Sequence, residues 1–517
     1  MRWLAICLAL WVAAPTAASE GFQFRAEYGT HAVGFKVVQQ YDASRSYRNG
    51  FDAVTGEADH GPQARPIQTL IWYPAASPGR ALIYDDYLQL MATDDRFDLG
   101  ADEAKHRAEQ ALREYLALGA SAAHIDSVRQ QAVHATGDAP AEQGQFPLII
   151  YAPSDSSAAF ESDMLCEYLA SHGYVVIASP SHGAHARYMT DGRVADDVES
   201  TRAQAADIGF LIGYAATLPD VDPGNVGVVG YSWGGMASTF AAVADGRIHA
   251  LVDLDGSVRY FPKMLAAAPD VTPDRITVPL LFFADKEDPL GPGIDSRPGS
   301  FVARIHHADV TEIGLLKLSH DDLSDDGLRF LSETSRKGIT LEEREESYAW
   351  IARYTLAFLD AKLRSDPAAA RFMAATPASN HVPAGVLHMA YRPAAGASPS
   401  VQGFAKLLHD RGFSNAIEAY AAYTKDHPAF RILDDTFAAW FSSLLDIGRS
   451  DDAIGLCQLW THVYPKSIDA WADLGAAYEV AGKPVLAMSS YREVLKIDPH
   501  NHVARERIAS LAPEKRG

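Results

Sequence analysis

Cysteine is almost missing from this chain, with three in 517 residues: Cys7, Cys166 and Cys457. Cys7 falls in a leader segment and the other two in what read as separate domains, which excludes a disulfide framework. H-E-x-x-H, paired C-x-x-C and Walker-loop patterns are absent too, so neither a metal nor a nucleotide cofactor is expected. Basic residues are the minority, 45 against 66 acidic ones. The net charge of -21 repels phosphate backbones and anionic lipid, so nucleic acid is not an expected partner. Beyond the leader no apolar run is long enough to span a bilayer, so no transmembrane anchor is expected.

The leader is residues 1–19. Arg2 is a minimal basic start, Trp3 to Ala14 form a short apolar run, and Pro15 breaks it before Thr16-Ala17-Ala18-Ser19. Small residues at that exit suit signal peptidase, and a periplasmic or secreted destination is expected. The remaining length predicts two or three domains.

From about Tyr28 to Phe358, apolar β-type runs alternate with helical stretches. The runs are AVGFKVV, IQTLIWYP, FPLIIYAP, YVVIASP, VGVVGYS, ALVDLD, VPLLFFAD and TEIGLLKL. Several are continuously apolar, as in strands buried on both faces, which predicts a doubly wound, mostly parallel, eight-stranded α/β sheet spanning residues 20–373. Residues 84–143 read as a helical insertion, either a lid or a surface excursion. Residues 374–400, rich in Pro, Ala, Ser and Gly, read as a linker.

Beyond the linker the chain repeats. Trp471, Leu474, Gly475, Tyr478, Ala487, Tyr491 and Pro499 fit W-x2-L-G-x2-Y…A-x3-F…P, with Tyr in the Phe position. Ala453, Cys457 and Pro465 echo the end of that pattern one repeat earlier, and Ala416, Tyr420 and Pro428 echo it again. Small residues let paired helices approach, aromatics fill the groove between repeats, and proline stops each second helix. This resembles the tetratricopeptide repeat family, which implies an all-α solenoid over residues 401–512 and a protein partner for it.

The sequence VGVVGYSWGGMAS holds G-x-S-x-G as Gly230, Ser232 and Gly234, between an apolar strand and a helix-compatible run. A nucleophile elbow needs that strand–turn–helix context, because its serine sits on a strained turn crowded by neighbouring backbone. In such a fold the histidine follows the last strand, which selects His320 in LKLSHDDLSDD; His182 and His185 precede the serine and break the order. Two aspartates can orient the imidazole: Asp255, ending ALVDLD, and Asp288, in FFADKEDPLGP. One oxyanion donor should be the N–H of Trp233, the residue after the serine, and by register the other is the backbone of Asp155.

The pieces HAVGF, DASR, IWYPAA, FPLIIYAPSDSS, GYVVIASPSHG, GYSWGG, LDGSVRYFP and LKLSHDDLSD together resemble an α/β-hydrolase group: the platelet-activating-factor acetylhydrolases and the bacterial predicted dienelactone hydrolases. In the acetylhydrolases the acid ends the strand after the nucleophile, ahead of Phe-Pro, and LDGSVRYFP matches, so the resemblance favours Asp255. Where such relatives carry His-Gly after the third strand, this chain has Pro153-Ser154-Asp155-Ser156. The resemblance implies a serine hydrolase acting on a small-molecule carboxylic ester through a Ser-Asp-His triad and an acyl-enzyme. A strict dienelactone hydrolase uses a cysteine nucleophile, which this elbow lacks. Two other classes stay open: a serine peptidase, and a catalytically weak protein that binds partners through its repeats.

Overall fold

The computed structural model describes residues 21–47, 56, 63–117, 120–190, 192–286, 300–330, 338–427 and 430–512. The leader and Asp288 lie outside the described residues. The chain divides into two compact units, Met1–Ala397 and Ser398–Gly517. No helix among the described residues is long and apolar enough to cross a membrane.

All eight apolar runs of the first unit are strands. They are β1 (Ala32–Ser46), β2 (Ala64–Ala75), β5 (Phe146–Ala152), β6 (Val175–Ala178), β7 (Val221–Tyr231), β8 (Ala250–Leu254), β9 (Leu280–Ala284) and β10 (Val310–Leu315). Three more strands join them: β3 (Arg80–Ile83), β4 (Ala132–Gly137) and β11 (Leu387–Arg392). The order across the sheet is β11-β10-β9-β8-β7-β5-β6-β2-β1-β4-β3. The block from β6 to β10 is parallel throughout. β2 lies antiparallel to β6 and to β1, and β11 antiparallel to β10.

The continuous apolar runs have the expected cause. Every residue of β6, β8, β9 and β10 is buried. Along β5, Leu148 and Ile150 join one core with Ile208, Leu211 and Phe240, from the helices Val194–Ala215 and Trp233–Ala244. Ile149 and Tyr151 join the other core with Leu165, Leu169, Ile351 and Phe358, from the helices Asp163–Ser171 and Leu341–Leu363. Alternation with period two thus feeds two cores, one on each face, as a doubly wound sheet requires.

Three boundaries differ from the sequence reading. Among the described residues the sheet has eleven strands rather than eight, because β3, β4 and β11 are short segments of mixed polarity that cover edges instead of filling the core. The stretch read as a linker at 374–400 contains β11, whose residues pair from Leu387 against Leu315 to Arg392 against Val310. The insertion at 84–143 is helical at Ala101–Ala117 and Ala122–Arg129, then returns to the sheet as β4, parallel to β1. Tyr84 and Tyr87, at its start, are fully buried, and Trp72 Nε1 donates to Tyr87 Oη at 2.8 Å.

A buried ion pair locks the loop after β6. Arg65 donates through Nε and Nη2 to Asp207 at 2.7 and 2.6 Å, while its Nη1 and Nη2 also reach the carbonyls of Gly183 and His182. The guanidinium therefore satisfies an irregular backbone segment that would otherwise be buried unpaired.

Among its described residues the second unit holds only helices: Val401–Arg411, Ala416–Asp426, Asp434–Asp446, Ser450–Val463, Ile468–Val480, Pro484–Ile497 and His502–Leu511, with a short 3-10 turn at Phe413–Asn415. Small residues sit where helices meet. Ala453 and Ala487 are fully buried, and a side chain at Gly475 would strike the Tyr491 ring at 2.6 Å. Pro428 lies outside the described residues.

These boundaries predict two truncations with opposite outcomes. A chain ending after Ala397 keeps β11 and should be soluble, unfolding in one cooperative transition. One ending after Ala374 uncovers the edge of β10 and should lose about 3 kcal/mol or more and self-associate. Thermal unfolding and size-exclusion chromatography of the two check this.

Candidate active site

β7 ends in the turn that carries Ser232, whose backbone stands at φ 53° and ψ -115°. That conformation is costly for a residue with a Cβ, on the order of 1–3 kcal/mol, and needs support from its surroundings. Ser232 N–H donates to Leu254 O at 3.1 Å, and its own carbonyl accepts from Gly235 and Ser257 N–H at 3.1 and 2.9 Å. The flanking glycines are there for space. A Cβ on Gly234 would lie 2.0 Å from Ala152 O, and one on Gly230 would lie 2.5 Å from Gly234 O.

Ser232 Oγ lies 2.9 Å from His320 Nε2, and His320 Nδ1 lies 2.6 Å from Asp255 Oδ2. In this arrangement the hydroxyl donates to Nε2 and Nδ1–H donates to the carboxylate. Asp255 follows β8 at φ 49° and is fully buried. Its Oδ1 accepts from Tyr260 Oη at 2.7 Å, and Arg259 Nη1 lies 3.6 Å away. His320 opens a short 3-10 turn, His320–Leu323, that begins with a reciprocal cap between Ser319 and Asp322. Its carbonyl accepts from Tyr231 Oη at 2.9 Å, which holds the turn against the end of β7.

Burial by itself lowers the basicity of His320. The hydrogen bond and charge of Asp255, joined by Asp321 and Asp285, outweigh it and raise the imidazole above its ordinary value of 6.5. Asp253, two residues before Asp255, behaves differently. Burial and then the charge of Asp255 push its carboxyl well up, against weaker opposition from the Gly256 N–H and Arg259. It packs beneath the elbow, where a Cβ on Gly235 or Gly256 would lie 2.1 or 2.0 Å from its Oδ1.

The remaining candidates divide. Trp233, Asp155, Ser232, Asp255 and His320 line one cavity of about 690 Å³, together with Thr190, Asp197, Ser257, Tyr260, Phe261 and Asp285. None of the described insertion residues is among its lining. His182 is buried and His185 faces Glu199 at 3.4 Å; neither lines the cavity. The Asp155 carboxylate is held sideways, accepting from Ser156 Oγ at 2.7 Å and Thr190 Oγ1 at 2.6 Å.

Sequence reasoning missed the residues that brace the Asp155 loop. Glu161, which is buried, accepts from Ser154 N at 2.8 Å and from Ser154 Oγ. Ser181 Oγ donates to Ser154 O and accepts from Ser157 N at 2.8 Å. No local pattern marks these partners, since Ser181 is 27 residues from Ser154 along the chain and comes from the loop after β6.

Residues 133–299 match the dienelactone hydrolase family. The matched stretch runs from β4 through β9 and holds Ser232 and Asp255, while His320 follows it. A putative carboxymethylenebutenolidase from Synechocystis sp. is 26% identical over 167 residues, covering 30% of this chain and 68% of that protein. Among solved structures, a ferulic acid esterase from Streptomyces cinnamoneus aligns with 18% identity and a TM-score of 0.44, over 67% of this chain and 94% of that one.

The brace predicts a stability effect. Glu161→Ala leaves the Ser154 N–H without its acceptor and should cost about 2–3 kcal/mol in urea denaturation. Glu161→Gln keeps one acceptor oxygen and should cost about half as much.

Proposed function

We propose that this chain is a serine hydrolase that cleaves carboxylic esters, with Ser232 as nucleophile, His320 as base and Asp255 as the orienting acid. The observation that carries the reading is the continuous relay from Asp255 Oδ2 through His320 to Ser232 Oγ, at 2.6 and 2.9 Å. The match of residues 133–299 to a family named for a lactone hydrolase, and a relative named as a putative carboxymethylenebutenolidase, support ester chemistry over peptide cleavage.

In the proposed reaction His320 Nε2 takes the Ser232 proton as Oγ attacks the ester carbonyl carbon. The resulting oxyanion is met by the backbone N–H of Trp233, which opens its helix and so has no acceptor within it. The Asp155 N–H is the second proposed donor. As the tetrahedral centre collapses, His320 returns the proton to the leaving alkoxide, which departs as the alcohol. Water, deprotonated by His320, then attacks the acyl-enzyme, releasing the acid and restoring Ser232. Asp255 holds the imidazole in the tautomer with Nδ1 protonated and stabilises the imidazolium.

Two further parts of the reading rest on sequence. The leader, residues 1–19, suits export to the periplasm or beyond, and the helical second unit suits a tetratricopeptide-type surface for a protein partner.

Ser232→Ala should abolish hydrolysis of p-nitrophenyl esters and labelling by a fluorophosphonate, a loss on the order of a millionfold in turnover. Asp255→Asn should lower turnover by roughly four orders of magnitude, because the amide favours the wrong tautomer. Asp288→Asn should do far less; equal losses in the two would remove Asp255 from its role.

The pH profile follows from the sign of the His320 shift. The base works only when neutral and its affinity for a proton is raised, so kcat/KM should climb with pH through a midpoint above 6.5. Residual activity of Asp255→Asn should show that midpoint moved down. A wild-type midpoint below 6.5 would contradict the assignment.

A further inference from the structure

The cavity over Ser232 carries more carboxylates than the relay uses. Asp155, Asp197 and Asp285 line it besides Asp255, and among the described residues that line it there is no lysine or arginine. Arg259, whose side chain is 1% exposed, lies 3.6 Å from Asp255 Oδ1 and over the Phe282 ring with 5.4 Å to its centroid. It answers Asp255 from below and does not open onto the cavity.

Asp155 is the informative one. Its partners are the hydroxyls of Ser156 and Thr190, which fix its direction and do not cancel its charge. It sits on the loop whose backbone is the second proposed oxyanion donor. A carboxylate beside that position opposes the negative charge that builds on the substrate oxygen. The opposition is relieved when the substrate brings a positive charge of its own between them. Aromatic rings complete such a site. Trp233 and Phe261 meet edge to face with centroids 5.2 Å apart, and Phe261 and Tyr260 are 42% and 36% exposed. Ring faces attract ammonium groups, modestly where they are solvent-exposed.

Resting on the proposed hydrolase reading, we propose that the site takes esters bearing an ammonium group, quaternary or protonated, and discriminates against esters bearing a carboxylate. Asp155 sets the sign of that preference.

The test uses the full chain and three p-nitrophenyl esters of matched length: a neutral alkanoate, a dicarboxylic monoester, and a trimethylammonio-alkanoate. The expected order of kcat/KM is cationic, then neutral, then anionic, with the extremes apart by about tenfold or more at low salt and closer at high salt. Asp155→Asn should shrink the cationic-to-anionic ratio at least about threefold. Glu418→Gln, a surface change in the second unit, should leave that ratio as it is. An anionic ester hydrolysed as fast as the cationic one, or a ratio that Asp155→Asn does not move, overturns the charge assignment. Should Asp155→Asn fail to fold, the order and its salt dependence in the unaltered chain decide alone. Fluorophosphonate labelling separates the two failures. Labelling without the charge order sinks only the substrate class, whereas no labelling and no turnover of any ester sinks the hydrolase reading beneath it.

Discussion

A serine at φ 53° and ψ -115° persists only where the backbone around it is over-determined, and this constraint organises the first unit. The turn is held by hydrogen bonds to Leu254, Gly235 and Ser257, so the ends of β7 and β8 must meet in register. It also needs β5 close beside it. Gly234 presses on the carbonyl of Ala152 at the end of β5, at a separation no side chain would permit. The parallel block and its shared C-terminal edge are thus conditions for the elbow to exist.

Burial then separates two aspartates two residues apart. Asp255 receives a histidine, a tyrosine hydroxyl and a nearby guanidinium, a set that repays the desolvation of a carboxylate. Asp253 has the Gly256 N–H and tight glycine packing, and its carboxyl is driven toward the protonated form. Position along one strand does not decide which acid serves His320; what each carboxyl touches does. Glu161 shows the same logic on the facing loop. Burial raises its carboxyl, while bonds from Ser154, Ser157 and Tyr151 oppose the rise, and those bonds hold the Asp155 turn.

Much of this was legible in the sequence. The eight apolar runs, the elbow glycines around Ser232, and the place of His320 after the last of those runs follow from local pattern, while Asp255 was favoured by resemblance to the acetylhydrolases. Period-two alternation between two cores and the steric needs of a tight turn act over a few residues. The edge strands were not legible. β3, β4 and β11 have mixed polarity, and their pairing is set by neighbours distant in sequence, so the Pro- and Ala-rich context of β11 read as linker. The choice between Asp255 and Asp288 was open from residue types alone. Distance to His320 places Asp255 against the imidazole, and Asp288 lies outside the described residues.

What the sequence determined by itself is therefore the kind of fold and the residue types at its turn, because secondary structure and glycine crowding are short-range. Only the tertiary structure decided which carboxyl meets His320, that Glu161 and Ser181 brace the Asp155 loop, and that Asp155, Asp197 and Asp285 face one cavity. These depend on through-space distance and desolvation between segments that are far apart along the chain. Folding the sheet is what brings them within a few ångströms of one another.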